Sequence, residues 1–459
     1  MGDSPAPSIR DVIDRSPVSR FQRRTVLLCF LLGIADGFDA LAIGYLLPAM
    51  AAEWEVPAGS FGPAITVGLI GMIVGTTLVA PLADRVGRRA VLLGATLLYG
   101  AVTATIPLVS TVGELAGVRF VAGIGLGAVV PNLVALSSEY MPARARGRAV
   151  LIVLCGITIG GFLCGIVAGR LVPTLGWRSV FLVGAILPIV LVVVCWRLLP
   201  DSIGMLVRRG RPDAARALLA RISPELATTP LDDSLSGSAP RTARIPVGSL
   251  FGSRSRATTL LWITWFATYV IVYFLYSWLP TLLVDVGVDQ GVAILAMSLC
   301  LLANTVGGLS QGALIDRRGD YFSLTVGLPV AVLVILAVPS TFGQPVLLTF
   351  LICLIGFFAV GVNQALSTIT AEIYPIDVRA TGIGWAFGAG RVGSLVAPLA
   401  GGLLMTTGVP GAVIFQLIAV PAAVGAISLV LLVLLVHRTR RRATAMAPSG
   451  THPTAADAG

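Results

Sequence analysis

Twelve apolar runs dominate the sequence and decide what the chain can fold into. Each is long enough for a helix that crosses the hydrocarbon core of a bilayer, which takes about 20 apolar residues. The first six runs cover 25–47, 61–82, 90–109, 115–138, 149–170 and 179–199. The second six cover 257–283, 291–315, 323–341, 345–370, 380–405 and 412–436. Since 56% of the 459 residues are hydrophobic and only 12% are charged, a soluble globule could not bury them, and we predict an all-α membrane protein with 12 transmembrane helices.

A polar stretch, 200–256, separates the two sets of runs. It holds several arginines and then a Ser/Pro/Thr-rich linker, and we predict one short amphipathic helix at the membrane surface in it, with Leu218 and Ile222 on one face. The predicted organisation has five parts, namely an N-terminal tail 1–24, a six-helix bundle 25–199, the central loop 200–256, a second six-helix bundle 257–436 and a C-terminal tail 437–459.

The placement of the basic residues predicts the orientation in the membrane. All 32 are arginines, and with the N-terminus inside 28 of them fall in the tails, in the central loop and after the even-numbered spans. Only Arg170 and Arg178 fall in outside loops. This asymmetry follows the positive-inside rule, so both termini are predicted to be cytoplasmic. The lipid bilayer, and not nucleic acid, accounts for the net charge of +10.

A charged loop pattern occurs once in each half of the chain. The loops after spans two and eight read LADRVGRR and LIDRRGDY, and those after spans four and ten read EYMPARARG and EIYPIDVRA. Equivalent residues are 232 or 233 positions apart, so the pattern indicates a duplicated six-helix unit with its binding site between the halves near the midplane. We predict that these loops govern the switch between the two facing states through Asp84, Arg85, Gly87, Arg88, Glu139, Arg146, Asp316, Arg317, Glu372 and Arg379.

These loop motifs, together with GWRSVF after span five, resemble the major facilitator superfamily over nearly the whole chain. The first copy departs from that family at Ala80, where the loop motif usually begins with glycine, whereas Gly312 matches in the second copy. A closer resemblance, to the aromatic acid/proton symporters, rests on DGFD in span one, RFVAGIGLGAVVPN and SSEYMP around span four, and GAGRVGS in span eleven. The resemblance implies a transporter of the bacterial inner membrane, without a cofactor, that imports a small aromatic carboxylate with protons by alternating access.

Four charged side chains lie well inside predicted spans, where each is costly unless it faces a partner or a wet cavity. Asp36 and Asp39 are three residues apart on one helical face, so we predict that they share a cavity and couple transport to protons. Arg119 and Arg391 are predicted to bind substrate, because the guanidinium fork matches a carboxylate. The alternative is that these four residues form two internal ion pairs, which only hold the helices together.

Span seven carries an aromatic stripe, with steps of 4, 3, 4 and 3 residues, formed by Trp262, Phe266, Tyr269, Tyr273 and Tyr276. The spacing places all five rings along one helical face. Tyr269 and Tyr273 are candidates to stack on a substrate ring, with helix packing as an equal alternative. The further polar candidates, for which hydrogen bonding between helices is the alternative, are Asn132, Asn363 and Gln364.

Other functional classes find little support in the sequence. It has no Walker motif, metal-binding cluster or nucleophile–base constellation, so an enzyme or an ATP-driven pump is disfavoured. Both histidines, His437 and His452, lie in the C-terminal tail, which excludes histidine as the proton carrier within the spans. A proton-coupled sugar, drug or metabolite transporter of the same superfamily remains the alternative. A membrane sensor of aromatic acids would need an output domain, which the tails and the 57-residue central stretch do not offer.

Overall fold

The structure, a computed structural model, describes residues 9–227, 250, 255–318 and 321–446, and within these ranges its regular secondary structure is helical. The first half contains α1 (Ile9–Arg15), α2 (Arg20–Glu53), α3 (Gly62–Val74), α4 (Ala83–Val86), α5 (Arg88–Thr103), α6 (Val112–Glu139), α7 (Ala143–Leu175), α8 (Trp177–Leu198), α9 (Ile203–Arg208) and α10 (Pro212–Ala220). The second half contains α11 (Ser255–Asp285), α12 (Gln290–Arg318), α13 (Phe322–Ala337), α14 (Pro345–Ile355), α15 (Gly361–Ile373), α16 (Ile376–Thr406), α17 (Gly411–Leu417) and α18 (Ala419–Met446).

Twelve of the helical stretches are long and apolar enough to cross a membrane. The predicted all-α fold with 12 spans is therefore confirmed. Several spans extend beyond the apolar runs, and α2 begins at Arg20 instead of at 25. The cause is a capping box, in which the Ser19 hydroxyl accepts from the Gln22 amide N–H at 3.3 Å and the Gln22 side chain accepts from the Ser19 amide N–H at 2.7 Å.

Glycines let neighbouring spans approach at backbone distance. A Cβ on Gly37 of α2 would lie 1.9 Å from the carbonyl oxygen of Ile157 in α7. A Cβ on Gly127 of α6 would lie 2.0 Å from the carbonyl oxygen of Met72 in α3. Helices in lipid associate largely through such close packing, because lipid offers no hydrophobic gain. The glycine-rich run in span four is thus a packing surface.

The first part of the central stretch forms two short helices, α9 and α10, where we predicted one. Leu219 and Ile222 are buried and belong to one apolar cluster with Ile9 of α1 and Phe21 of α2, whereas Leu218 is only partly buried. The apolar face of this segment therefore packs on the first half of the protein. Most of the predicted linker, at 228–249, lies outside the described residues.

The two halves meet closely at the end of the bundle opposite to α9 and α10, which we call the far end; the end that carries α9 and α10 is the loop end. A Cβ on Gly44 of α2 would lie 2.0 Å from the carbonyl oxygen of Tyr276 in α11, and one on Gly59 would lie 2.3 Å from that of Gly402 in α16. Nearby, the Tyr45 hydroxyl lies 3.2 Å from Ser298 Oγ of α12. These contacts between the halves close the bundle at the far end.

Candidate functional site

A cavity of about 280 Å³ lies between the two halves, about midway along the spans. Helices α2, α3, α6 and α7 form one side of it, and α11, α12 and α16 form the other. We call it the central cavity. Its polar lining residues are Asp36, Thr158, Tyr273, Tyr276, Ser277 and Arg391. The remaining lining is aliphatic and includes Leu69 and Met72. A ligand here would meet one cation, one carboxyl group, two phenols and an apolar wall.

The cation of the central cavity is Arg391, whose Nη1 donates to the Tyr273 hydroxyl at 3.3 Å. In the part of the chain that the structure describes, Arg391 forms no ion pair with a carboxylate. Asp36 also lines the cavity and is 2% exposed, and its Oδ1 has no hydrogen-bond partner among the described residues. The site therefore presents a guanidinium and a carboxyl group that are both incompletely satisfied, which is costly in a buried site unless a ligand or proton completes them.

The two aspartates of DGFD have different surroundings. Asp39 is fully buried, its Oδ2 lies 3.0 Å from Arg119 Nη1, and its Oδ1 accepts from the Thr103 hydroxyl at 2.6 Å. Neither Asp39 nor Arg119 lines the central cavity, in contrast to the expectation that both aspartates share it. The reason is geometric, because residues three apart on an α-helix project about 60° from one another. Asp36 thus lines the central cavity, whereas Asp39 is bonded to α5 and α6.

The aromatic stripe of α11 is divided in the same way. Tyr273 and Tyr276 line the cavity, and Tyr276 accepts from Asn304 Nδ2 at 3.1 Å. Tyr269 is not a lining residue; it stacks on Tyr273 with ring centroids 5.7 Å apart and packs on the backbone of α16 at Gly390. Trp262 stacks on Trp385 and so serves helix packing. Tyr273 is the member of the predicted pair that can meet a ligand.

Two of the three predicted amide candidates, Asn132 and Asn363, are held by hydrogen bonds within the bundle. Asn132 Nδ2 donates to the carbonyl oxygens of Ala128 at 2.8 Å and Ala80 at 3.5 Å. Asn363 Nδ2 donates to Thr268 Oγ1 at 3.2 Å. The Gln364 side chain lies outside the described residues. Asn132 and Asn363 are absent from the lining of the central cavity, and their contacts are those of helix packing.

The first copy of the loop motif joins three elements at the loop end. Arg88 Nη1 lies 2.8 Å from Glu139 Oε2, and Glu139 Oε1 accepts from Ser202 Oγ at 2.7 Å and from the Ile203 amide N–H at 2.9 Å. Gly87 makes the turn between α4 and α5 with φ +97°, a conformation that glycine adopts without strain. These contacts tie α5, α6 and α9 together. The other predicted residues of this copy are placed as follows: Asp84 and Arg85 are exposed, and Arg146 is partly buried.

The second copy is described only in part. The side chain of Asp316 lies outside the described residues, and Arg317 is exposed. Glu372 accepts from the Tyr321 hydroxyl, and Arg379 Nε donates to the Tyr374 carbonyl oxygen at 3.1 Å. The described contacts of each copy lie within that copy's own half of the protein.

Two residues of the site lacked a sequence signal strong enough to single them out. Thr103, which holds Asp39, is one of many threonines in the apolar spans. Ser277 lines the cavity and directly follows Tyr276, the last ring of the stripe. In the sequence, only the aromatic stripe indicated that this face of α11 lines the site.

The fold and the cavity define a class of protein. Two six-helix halves around a polar cavity near the middle of the spans are the architecture of a secondary transporter, in which a midplane site is exposed alternately to the two sides. Within the described residues, no group of three or more His, Cys, Asp or Glu side chains could hold a metal ion.

The chain belongs to the Major Facilitator Superfamily, whose family model matches residues 28–362. It is 33% identical to the 4-hydroxybenzoate transporter PcaK of Pseudomonas putida over 435 residues, 94% of this chain and 96% of PcaK. It is 32% identical to a gallate transporter of Pseudomonas putida over 92% of this chain and 94% of the relative. Among solved structures, the partially occluded inward-open xylose transporter XylE of E. coli superposes with a TM-score of 0.70 at 19% identity, over 89% of this chain and 97% of XylE. These similarities identify a multi-pass membrane transporter and not an enzyme, and the last of them concerns the fold alone.

Proposed function

We propose that the protein imports a small aromatic carboxylate together with protons across the inner membrane of a bacterium. The observation that carries this proposal is Arg391, a cation in the central cavity without a carboxylate partner among the described residues. A guanidinium group at this depth calls for an anion, and its planar fork matches a carboxylate. Arg119 is already paired with Asp39. Of the two predicted arginines, Arg391 therefore receives the substrate, and Arg119 fixes the charge of Asp39.

The shape of the central cavity supports a substrate of about one ring. Its volume of about 280 Å³ lies just below the range of about 300 to 1,000 Å³ that is usual for ligand sites. Tyr273 supplies a ring face beside Arg391, and Leu69 and Met72 supply an apolar wall. The named substrates of the two relatives, 4-hydroxybenzoate and gallate, are aromatic carboxylates with ring hydroxyls. The hydroxyls of Tyr276 and Ser277 are suited to bond such groups.

Asp36 is the group that we assign to the proton. It is buried, it lines the same cavity as Arg391, and its Oδ1 has no described partner. An isolated ionised carboxyl group in such a site is expensive, whereas its protonated form is tolerated. Asp39, in contrast, has its charge balanced by Arg119 and the Thr103 hydroxyl. Asp36 thus binds the transported proton, and Asp39 holds α2, α5 and α6 together.

Transport requires that the cavity open to each side in turn. The contacts of Gly44 and Gly59 close the far end in this structure. By the positive-inside rule, the arginine distribution assigns the loop end to the cytoplasm, so the end that is closed here is the outer one. We infer that the halves rock about the cavity, which breaks the far-end contacts and closes the loop end.

The proposal is tested with purified protein in liposomes that carry an inward proton gradient. Labelled 4-hydroxybenzoate should accumulate, a protonophore should abolish the accumulation, and unlabelled gallate and benzoate should compete whereas xylose should not. Replacement of the cavity cation, Arg391→Gln, should abolish uptake, and Arg170→Gln, which changes an exposed far-end arginine, should not. Uptake of xylose in place of the aromatic acids, or accumulation that a protonophore leaves intact, would reject the proposal.

A further inference from the structure

A second cavity lies at the loop end, away from the central cavity, and its lining is strongly basic. Its volume is about 440 Å³, and it lies between α2, α5, α8 and the short helices of the central stretch. Five arginines and a single aspartate, Asp201, are among its lining residues. We call it the arginine pocket. Its arginines are Arg24, Arg89, Arg197, Arg211 and Arg221.

Protein groups balance only part of this positive charge. Arg89 Nη1 lies 3.2 Å from Asp201 Oδ2, which neutralises one of the five arginines. In the described part of the chain, the other four form no ion pair with a carboxylate. The Nε atoms of Arg24 and Arg89 are buried and lack a hydrogen-bond partner among the described residues. Like charges gathered around one cavity repel one another, so the arrangement calls for an anion with several acceptor oxygens.

The surroundings of the pocket indicate the depth at which that anion lies. Arg24, Arg89 and Arg197 stand at the loop-end termini of α2, α5 and α8, where the spans leave the hydrocarbon. Trp196, directly before Arg197, is 68% exposed and Leu198 is 38% exposed. An exposed tryptophan at the end of a span is typical of the interface between lipid and water. The pocket therefore adjoins the phospholipid headgroups and is lined on one side by apolar side chains such as Leu199 and Leu206.

We propose that the arginine pocket binds a phosphate group, supplied by the headgroup of an anionic phospholipid. Guanidinium groups bind phosphate through paired N–H donors, and basic pockets at the ends of membrane spans are suited to anionic headgroups. A bound phosphate joins Arg211 and Arg221 of the central stretch to Arg24 and Arg197 of the spans. The lipid thus fastens α10 to the bundle. A soluble phosphate compound shares the same chemistry, and the experiment distinguishes the two sources.

The test measures lipid binding by the full chain in a neutral detergent, with phosphatidylglycerol as the anionic probe and phosphatidylcholine as the zwitterionic one. The pocket variant is Arg211→Gln/Arg221→Gln, which leaves the arginines of the spans in place. The control is Arg208→Gln/Arg216→Gln, which removes the same charge from two exposed arginines of the same segment that do not line the pocket. Each lost arginine contact should weaken phosphatidylglycerol binding about fivefold, so the pocket variant should lose roughly 25-fold. The control should lose roughly threefold or less, because neither of its arginines lines the pocket.

Competition with soluble phosphate compounds distinguishes a lipid from a soluble occupant of the arginine pocket. If inorganic phosphate and glycerol 3-phosphate at millimolar concentration fail to displace phosphatidylglycerol, the lipid is the occupant. If either displaces it from the wild-type protein but not from the pocket variant, the pocket is a phosphate site with a soluble occupant. The proposal is overturned if both double variants weaken phosphatidylglycerol binding equally, or if phosphatidylcholine binds the wild-type protein as tightly as phosphatidylglycerol does.

Discussion

The ion pair between Asp39 and Arg119 makes a sharp prediction about stability. Asp39 is fully buried and Arg119 nearly so, with 3.0 Å between Oδ2 and Nη1. The variant Asp39→Asn keeps an acceptor for the Thr103 hydroxyl but leaves the Arg119 charge without a partner. Removal of one member of a buried pair costs about 3–5 kcal/mol. Asp36→Asn breaks no ion pair in the described part of the chain, so we expect it to cost clearly less than Asp39→Asn.

The assay is thermal unfolding of the ligand-free protein in one detergent and lipid mixture, because bound substrate would add its own stabilisation. Asp39→Asn should lower the apparent melting temperature clearly, and Asp36→Asn should lower it less. The double variant Asp39→Asn/Arg119→Gln leaves no buried charge at this position and should recover most of the loss. Equal shifts for Asp36→Asn and Asp39→Asn, or a double variant as unstable as the sum of its singles, would refute the assignment of different roles to the two aspartates.

Three further predictions concern the central cavity and its closure. Arg391→Lys keeps the charge but loses the guanidinium fork. A charge-assisted hydrogen bond of about 1.5–3 kcal/mol corresponds to a loss of roughly 10- to 100-fold in substrate affinity, measured by equilibrium binding. An affinity within twofold of wild type would show that Arg391 does not bind the substrate carboxylate. Tyr273→Phe should change the preference between benzoate and 4-hydroxybenzoate, whereas Tyr273→Ala should weaken both, and unchanged competition profiles would return this ring to helix packing. Gly44→Ala places a methyl group 2.0 Å from the Tyr276 carbonyl oxygen and should hold the far end open, so that a cysteine introduced there gains reactivity towards an impermeant thiol reagent; unchanged labelling and uptake would contradict the role of this contact in closure.

The spans were predictable because their cause is local. A helix that crosses the bilayer needs only length and apolar composition, and both are properties of a contiguous segment. The additional turn at the start of α2 was also encoded, in Ser19 and Gln22, although hydropathy does not show it. The recurrence of the loop motif at a constant offset indicated an internal duplication, since both copies can be compared within one chain.

The allocation of charges within the site was not predictable, because it depends on which helix faces each side chain. DGFD shows that two carboxyl groups share a turn, but their directions differ by about 60°, enough to point them at different neighbours. Arg119 and Arg391 look equivalent in sequence, as single arginines in apolar spans. The packing of α6 against α2 pairs Arg119 with Asp39, whereas α16 turns Arg391 towards the central cavity.

For the proton-coupled import that we propose, this allocation of charges predicts a coupling mechanism through the charge balance of the central cavity. With Asp36 ionised, the empty cavity is neutral, because Arg391 and Asp36 cancel; the pair of Asp39 and Arg119 cancels separately. An anionic substrate alone would leave one negative charge near the midplane, which is costly in a low dielectric. A proton on Asp36 restores neutrality. We therefore expect the halves to rock when the cavity is empty, or when it holds both substrate and proton, but not when it holds substrate alone.

The same balance predicts how Asp36→Asn fails. The loaded cavity of this variant is neutral, with Arg391 against the substrate, so labelled substrate should still exchange across the membrane in counterflow. Its empty cavity carries an uncompensated positive charge, so the return step should be slow and net uptake driven by a proton gradient should stop. Uptake with and without a protonophore, beside counterflow in preloaded vesicles, measures both. If the variant still concentrates substrate in a protonophore-sensitive manner, or if it loses exchange together with net uptake while it still binds substrate, Asp36 does not carry the transported proton.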